Sequence, residues 1–391
     1  MLIGVVGAGA VGGTVAALLE RAGHQVDVTA RGPHLRAIQD RGLRLAGGWG
    51  DHVARVAAAE RLGRPPETAI VATKIADARD AMRENAGWLR DVPVLVVQNG
   101  LSGLRMGAEC LPRSQVVGGL ALLATSLTEP GLVTVTGPAG IHIGSADGPD
   151  GAGVELVRRV LDPVMPVSVA PDFRGAQWTK LVVNGINAVP AVTGLSAQAV
   201  IADPVMRRVV TRAMQETVRT GLARGVVFGA LAGLTHRRLK AFASMPVGLA
   251  GRLPVSLARA MGSVPNPGST LQSIRRDRPT EVDHLNGAVA ALAPGAGQDA
   301  RVNAALVQLV HGVEASGRHI SPAETRAARP ALIRTRASAS RAAASWATDS
   351  RAAACAADRV SSCRRRRGAG EPGSVTSTII VAARRRFTAR T

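Results

Sequence analysis

Lys180, Asn184 and Asn187 follow one another at i, i+4 and i+7 inside an otherwise apolar stretch over residues 178–187. At roughly 100° per residue, this spacing sets an ammonium and two carboxamides along one stripe of a helix. Leu181, Val182, Val183 and Ile186 are then left to bury the other faces. Unpaired polar groups in such surroundings are costly, so the stripe must face a partner or a cleft. A ketone and its alcohol product provide such a partner, because an ammonium can protonate an oxygen on which charge develops. The alternative is a helix with one wet face. Arginine outnumbers lysine 45 to 3 in this chain. A lysine therefore hints at a place where a cation with an adjustable pKa is needed, which arginine cannot be.

A second group of polar residues lies further on: Asn266, Ser269 and Gln272, then Arg278, Thr280, Glu281 and Asp283. Pro279 suits the first turn of a helix. The apolar residues Val282, Leu285, Val289 and Leu292 give that helix, over 279–293, its core face. Glu281 in its first turn either serves the helix dipole or acts as an acid. Glu281 and His284 are spaced like half of a carboxylate-bridged metal site. Such sites need a second copy, and none is present, so no metal is expected.

The third group opens the chain. Gly7, Ala8, Gly9, Ala10, Val11 and Gly12 spell G-x-G-x-x-G directly after an apolar strand and at the start of a helix. In that setting the first glycine makes the tight turn, the second admits a pyrophosphate and the third lets helix and strand pack. The next strand ends at Ala30 and Arg31, where an NAD-binding protein usually carries an acid. Arginine pairs with a 2′-phosphate that a carboxylate would repel, so NADP is the expected cofactor. Asp27 lies three residues too early to compete. Lys74 and Asn99 each follow a strand, where ligands of such sheets bind, and are candidates for contact with cofactor or substrate.

The elements that must position these groups follow from periodicity. Strands are expected over 1–6, 25–30, 69–73, 94–98, 116–125 and 133–136, with a last one at 167–170, and helices over 10–22, 76–88 and 102–111. That alternation predicts an α/β fold with a parallel, doubly wound Rossmann-type sheet. From about residue 174 the strand signals stop. Helical periods run over 175–191, 196–224, 235–261, 279–293 and 300–315. The expected organisation is a dinucleotide-binding domain at 1–170, an all-helical substrate domain at 171–327 and a basic, disordered tail at 328–391.

A formal charge of +20 raises the question of nucleic acid. Residues 331–391 hold 13 arginines against 3 acidic residues. Half of the excess therefore belongs to the tail, where Trp346 and Phe387 are the only aromatic residues and no fold motif accompanies the charge, and no specific nucleic-acid partner is expected. Cys110 alone precedes the tail, so no internal disulfide of the body is expected. No apolar run reaches the roughly 18–20 residues that span a bilayer. The apolar start lacks a basic leader, so a cytoplasmic protein is the expectation. A homodimer remains open.

Taken together, these motifs resemble the ketopantoate reductase (2-dehydropantoate 2-reductase) family over residues 1–325. The resemblance rests on the glycine turn at 7–12, Ala30-Arg31, Lys74, Gln98-Asn99-Gly100, Lys180 with Asn184, Ser269 with Gln272, and Arg278, Thr280, Glu281 and Asp283. It implies NADPH-dependent reduction of a small 2-keto acid, with Lys180 as general acid and Glu281 as the acid that orients substrate and lysine. Asn99 and Asn184 would hold substrate and nicotinamide. Ser269, aided by Asn266, would bind the substrate carboxylate, and Arg31 and Lys74 would meet NADP phosphates. Three positions depart from the family pattern: Asn187 comes one residue early, and Thr270 and Ser273 stand where Met and Asp are common. These changes lie on the substrate side, so another branched 2-keto acid is the alternative substrate. A catalytically idle NADP-binding sensor is the alternative from another class.

Overall fold

The structure, a computed structural model, describes residues 1–146, 148–321 and 324. The basic tail expected over 328–391 lies outside the described residues. The chain begins β1 (Leu2–Val6), α1 (Ala10–Arg21), β2 (Gln25–Thr29), α2 (Gly32–Arg41), β3 (Leu43–Gly47), β4 (His52–Ala54) and β5 (Ala57–Ala59). It continues β6 (Thr68–Val71), α3 (Ile75–Asn85), β7 (Val94–Val97), α4 (Gly103–Cys110), β8 (Val116–Ala121) and β9 (Ala124–Glu129). The sheet region closes with β10 (Leu132–Gly137), β11 (Ile141–Gly144), α5 (Ala152–Leu161) and β12 (Val167–Val169).

The main sheet has the order β12-β11-β8-β7-β6-β1-β2-β5. Its inner strands are parallel, and only β11 runs against its neighbour β8. Residues of β6 and β7 are buried throughout, which is why they read as unbroken apolar runs rather than alternating ones. A second sheet, β4-β3-β10-β9, covers α1 from the other side. Packed between the two sheets, α1 buries Gly12 through Leu19 continuously.

The run over 116–125, expected as one strand, is two. The chain leaves the main sheet after Ala121 and enters the second sheet at Ala124. Leu122 and Leu123 form the bend, and apolar residues at a bend look the same as those within a strand. The short strands β3, β4, β5 and β11 and the helices α2 and α5 were not expected, although α5 places Val154, Val157, Val160 and Leu161 at helical spacing.

Beyond β12, the named elements among the described residues are all helical. They are α6 (Phe173–Asn184), α7 (Ala188–Thr193), α8 (Ala197–Ala202), α9 (Pro204–Ala223), α10 (His236–Ser244), α11 (Val247–Ala250) and α12 (Arg252–Ala260). After α13 (Gly268–Arg275) come a 3-10 turn at Val282–His284, α14 (Asn286–Leu292) and α15 (Arg301–Ser316). The long helical periods are broken by identifiable chemistry. Pro190 lacks an N–H and cannot extend α6, so it sits in the first turn of a new helix, α7. Asp203 precedes Pro204, and its carboxylate accepts from the Val205 and Met206 N–H groups to start α9. Pro246 separates α10 from α11.

The core of this half surrounds α9, and its one deeply placed acid has a structural role. Glu216 accepts from the backbone N–H groups of Val302 and Asn303, both at 3.0 Å. In this way it caps α15, whose own N-terminal residue offers no side-chain cap. Among the described residues no helix is long and apolar enough to cross a membrane, and no group of three or more His, Cys, Asp or Glu is placed to hold a metal.

Candidate active site

The glycine turn joins β1 to α1 and is held by β2. The Gly7 N–H donates to Thr29 Oγ1 at 2.9 Å and the Ala8 N–H to the Thr29 carbonyl at 2.8 Å. Each glycine has a distinct steric reason. Gly7 has φ +96°, and a Cβ there would lie 2.5 Å from Thr73 Cγ2. At Gly12 a Cβ would lie 2.1 Å from the Gly7 carbonyl oxygen, so helix and strand could not pack as they do. At Gly9 a Cβ would meet nothing within 4 Å. The turn is thus tight below and open above, over the first N–H groups of α1, which favour an anion. Ala10 and Val11 begin the helix there.

His34 supports the same turn and escaped the sequence reading. Its Nδ1 accepts from the Gly131 N–H at 2.9 Å, so its Nε2 carries the proton and donates to the Ala8 carbonyl at 2.7 Å. Burial pushes its pKa down, opposed by the Ala8 carbonyl. The neutral ring therefore ties the turn to the second sheet. No local motif marks His34, because Gly131 lies 97 residues away.

At the end of β2, Arg31 starts α2 and pairs with Glu84 at 2.8 Å, with an exposed side chain. Asp27, the acid passed over in the sequence, is held by Arg64 through both carboxylate oxygens, at 2.8 and 3.0 Å.

The helical half meets the sheet at the ends of β6, β7 and β8. Glu281 is the hub. Its Oε2 accepts from Asn99 Nδ2 at 3.0 Å, and its Oε1 faces the Ile75 N–H at 3.4 Å. That N–H opens α3, whose N-cap residue, Lys74, makes no side-chain cap bond. Asn99 in turn accepts through Oδ1 from Asn184 Nδ2 at 3.4 Å. A string Asn184–Asn99–Glu281 therefore crosses from α6 to the sheet and back to the loop before α14. Beside it Gly100, at φ +82°, lets the chain pass the His284 carbonyl, which a Cβ would approach to 2.6 Å. Ser126 Oγ donates to Gln272 Oε1 at 3.1 Å across the same junction.

Several candidates sit differently from expectation. Glu281 is not in the first turn of a helix but just before the 3-10 turn, so its carboxylate is free to reach the sheet. Asn187 lies beyond the end of α6, in the turn that leads into α7. Its Nδ2 donates to Ser269 Oγ at 3.3 Å on α13. The Asn266 side-chain oxygen accepts from the Gly268 N–H at 2.8 Å and so shapes the entry to α13. Lys74 donates to Ser273 Oγ at 2.7 Å and to the Pro279 carbonyl at 3.3 Å, joining the two halves. Ser273, noted as a departure from the family pattern, is thus the lysine's partner. Burial lowers the Lys74 pKa, Glu281 opposes this, and Arg278 and Arg276 add to it.

Lys180 lies on α6 facing β8. Its Nζ donates to the Ala121 carbonyl at 2.9 Å, at the point where the chain turns out of the main sheet. Its ammonium is packed among protein atoms without a carboxylate beside it, and burial pushes its pKa down to about 8. The residue keeps some surface, so the group is deep but not sealed. Glu281 does not bond to it here. The hub carboxylate and the lysine occupy different parts of the junction, linked through Asn99 and Asn184.

An open glycine turn, a doubly wound sheet and a buried lysine on a helical second half define a two-domain, dinucleotide-dependent oxidoreductase. Comparison with known proteins narrows the class. Residues 3–148 match the family model of ketopantoate reductase PanE/ApbA, and residues 172–314 match that of its C-terminal region. The chain is 26% identical over 319 residues to the 2-dehydropantoate 2-reductase of Pyrococcus horikoshii, covering 81% of this chain and 99% of that one. It is 30% identical over 297 residues to the same enzyme of Halobacterium salinarum, covering 74% and 91%. The crystal structure of a PanE/ApbA family ketopantoate reductase from Ralstonia eutropha JMP134 superposes with a TM-score of 0.68 at 28% identity, covering 80% and 98%. The chain belongs to the ketopantoate reductase family.

The glycine turn gives a paired prediction. Gly9→Ala adds a methyl group that the protein itself accommodates, so stability should stay within about 0.5 kcal/mol of wild type. Dinucleotide affinity, measured by calorimetry or fluorescence titration, should nevertheless fall by about tenfold or more. Gly12→Ala should instead destabilise the fold by about 1–3 kcal/mol in denaturant titration. Unchanged dinucleotide binding in Gly9→Ala would remove the pyrophosphate from this turn.

Proposed function

We propose that this protein reduces 2-dehydropantoate (ketopantoate) to pantoate, a step of pantothenate biosynthesis, with NADPH as the reductant. The observation that carries the reading is Lys180: a buried ammonium, held by a single carbonyl, at the junction between a dinucleotide turn and a helical domain. Residues 1–170 bind the dinucleotide, and residues 171–327 supply the catalytic side chains. The reading places the enzyme in the cytoplasm.

The residues at the turn fit a dinucleotide. Thr73, which packs against Gly7, and Gln98 carry side-chain oxygens, Oγ1 and Oε1, that are buried without hydrogen-bond partners just past the ends of β6 and β7. Buried polar atoms are rarely left so, and a ligand lying over the strand ends would satisfy them. Gly7, Ala8, Gly9, Ala10, Val11 and Gly12 hold the pyrophosphate. Arg31 leaves Glu84 for the 2′-phosphate, which the exposure of the Arg31 side chain makes inexpensive. Lys74 and Asn99 line the path toward the nicotinamide. When bound, the reduced nicotinamide supplies the hydride that adds to the 2-carbon of the keto acid.

The protein's part in the chemistry is to receive the charge that hydride addition creates. Lys180 Nζ faces the carbonyl oxygen, donates to it and transfers a proton as the alkoxide forms. The transfer is helped by burial, because the neutral amine left behind is the form that the site favours. Glu281 and Asn99 orient the substrate hydroxyl and the nicotinamide, and Asn184 positions Asn99. Ser269, with Asn187 and Asn266 shaping its surroundings, binds the substrate carboxylate at the start of α13.

The decisive assay follows NADPH oxidation against a panel of 2-keto acids that includes ketopantoate. The expected result is a kcat/KM for ketopantoate far above the rest, and silence across the panel would refute the reading. Lys180→Ala should lower kcat by about 10²–10⁴-fold while NADPH affinity is kept. In wild type, kcat/KM should fall as pH rises through about 8, since the acid must carry its proton and burial has brought its pKa down from 10.5. An alkaline limb that stays flat to pH 10 would contradict that assignment.

Cofactor choice rests on Arg31. Arg31→Ala should weaken NADPH by about tenfold or more, as expected for loss of a charge-assisted phosphate contact, and leave NADH almost unchanged. Equal losses for the two cofactors, read by competitive binding, would place the 2′-phosphate elsewhere.

A further inference from the structure

Glu281 supplies the hub carboxylate of the site, and the short segment that presents it is held from outside. Two of the ties come from α15 and fall on either side of Glu281. Before it, the Thr280 N–H donates to Glu314 Oε1 at 2.8 Å. After it, Asp283 Oδ1 lies 3.0 Å from His311 Nε2. The two ties are joined, because His311 Nδ1 lies 2.7 Å from Glu314 Oε2. One imidazole thus bridges the carboxylates that flank the hub.

The chemistry of this bridge fixes the state of the ring. Ionised carboxylates only accept hydrogen bonds, so a ring with a carboxylate against each nitrogen must donate from both, and only the imidazolium carries both protons. Burial works against that charge, but the bonds and fields of Asp283 and Glu314 outweigh it and raise the ring's pKa above 6.5. When the ring loses a proton, one nitrogen turns a lone pair toward a carboxylate oxygen and one of the two ties must give. The bridge is therefore intact at pH values below the raised pKa and is lost as pH rises through it.

No other charge around the ring takes over this part. Of the elements packed on α15, α7 and α14 carry no ionisable side chain. Glu216 of α9 is committed to the first turn of α15, at the opposite end from His311. Among the described residues Arg207, Arg208, Arg212 and Arg219 of α9 make no hydrogen bond to the ring, and Arg301 pairs with Asp299. His284, in the same 3-10 turn as Asp283, lies against Gly100.

We propose that His311, in its charged form, is a positioning residue that holds Glu281 toward Asn99 by bridging Asp283 and Glu314. This rests on the reductase reading. His311 acts through Glu281 and does not touch substrate or cofactor.

The test uses His311→Gln and His311→Arg in the full chain. The wild-type side chain is 42% exposed, so neither variant opens a core cavity. Glutamine keeps one donor group and no charge, and KM for ketopantoate should rise by about tenfold at every pH while NADPH affinity is kept. Arginine keeps a cation with several donors at all working pH values. It should retain a low KM. In wild type, KM should rise with pH at the midpoint that nitrogen NMR reports for the His311 ring, and in His311→Arg that rise should vanish. The alkaline fall assigned to Lys180 should persist in both variants. A double-mutant cycle closes the argument: in a Glu281→Ala background, His311→Gln should cost little further kcat/KM.

A histidine that served only the fold would lower Tm and leave KM and its pH dependence unchanged. That result, a pH dependence of KM that survives in His311→Arg, or losses that multiply with those of Glu281→Ala would each overturn the positioning role and leave the reductase reading intact. Wild type that oxidises NADPH with none of the keto acids would overturn both.

Discussion

The site turns on burying an ammonium without a compensating carboxylate. A charged lysine removed from water loses solvation, and a single backbone carbonyl restores only part of it. The imbalance lowers its affinity for the proton, bringing its pKa from 10.5 down to about 8. A carboxylate bonded to the same nitrogen would cancel the effect by stabilising the charged form. This gives a physical reason for the separation seen here, where the hub carboxylate, Glu281, bonds to Asn99 and faces the N-terminus of α3 rather than bonding to Lys180.

Neutral amides bridge the space between these two groups. Asn99 donates with one end of its carboxamide and accepts with the other, which lets it couple the helix of Lys180 to the loop of Glu281 without adding charge. The same junction is fixed sterically by Gly100 against the His284 carbonyl and electrostatically by Lys74 on Ser273. The two halves of the chain thus meet through these polar contacts and through an apolar cluster in which Leu104, Leu120 and Leu122 pack with Phe173 and Ala176 of α6. The polar contacts are the part of the junction that a ligand can exchange for its own.

The dinucleotide turn is held by a different principle, close backbone packing. Gly7 and Gly12 leave no space for a Cβ, Gly9 leaves space on the open side, and Thr29 and neutral His34 fix the turn from β2 and α2. The second sheet contributes through Gly131, the partner of His34, and through Thr125, whose hydroxyl bonds to Thr14 on α1 at 2.8 Å. The second sheet therefore stiffens α1, the helix that the glycine turn opens.

Much of this was legible in the sequence. The glycine turn, the alternation of strands and helices, the change to helix after residue 170, the Lys180–Asn184 spacing and the ordered set of family residues are all short-range patterns. Backbone sterics and helical period act over a few residues, so the chain declares them locally. What the sequence did not reveal were the breaks and the partners. Helix α6 ended at Asn184, before Asn187, the bend at Leu122 and Leu123 split one expected strand between two sheets, and Glu281 stood outside the helix drawn around it. Its bond to Asn99 spans 182 residues and that of Lys74 to Ser273 spans 199. Pairings at such separations depend on how whole layers dock, which no local spacing encodes. The sequence by itself determined which chemical groups this protein has and the elements that carry most of them. Tertiary packing alone decided which of those groups meet and how deeply each is buried, and burial is what sets the proton affinity of Lys180.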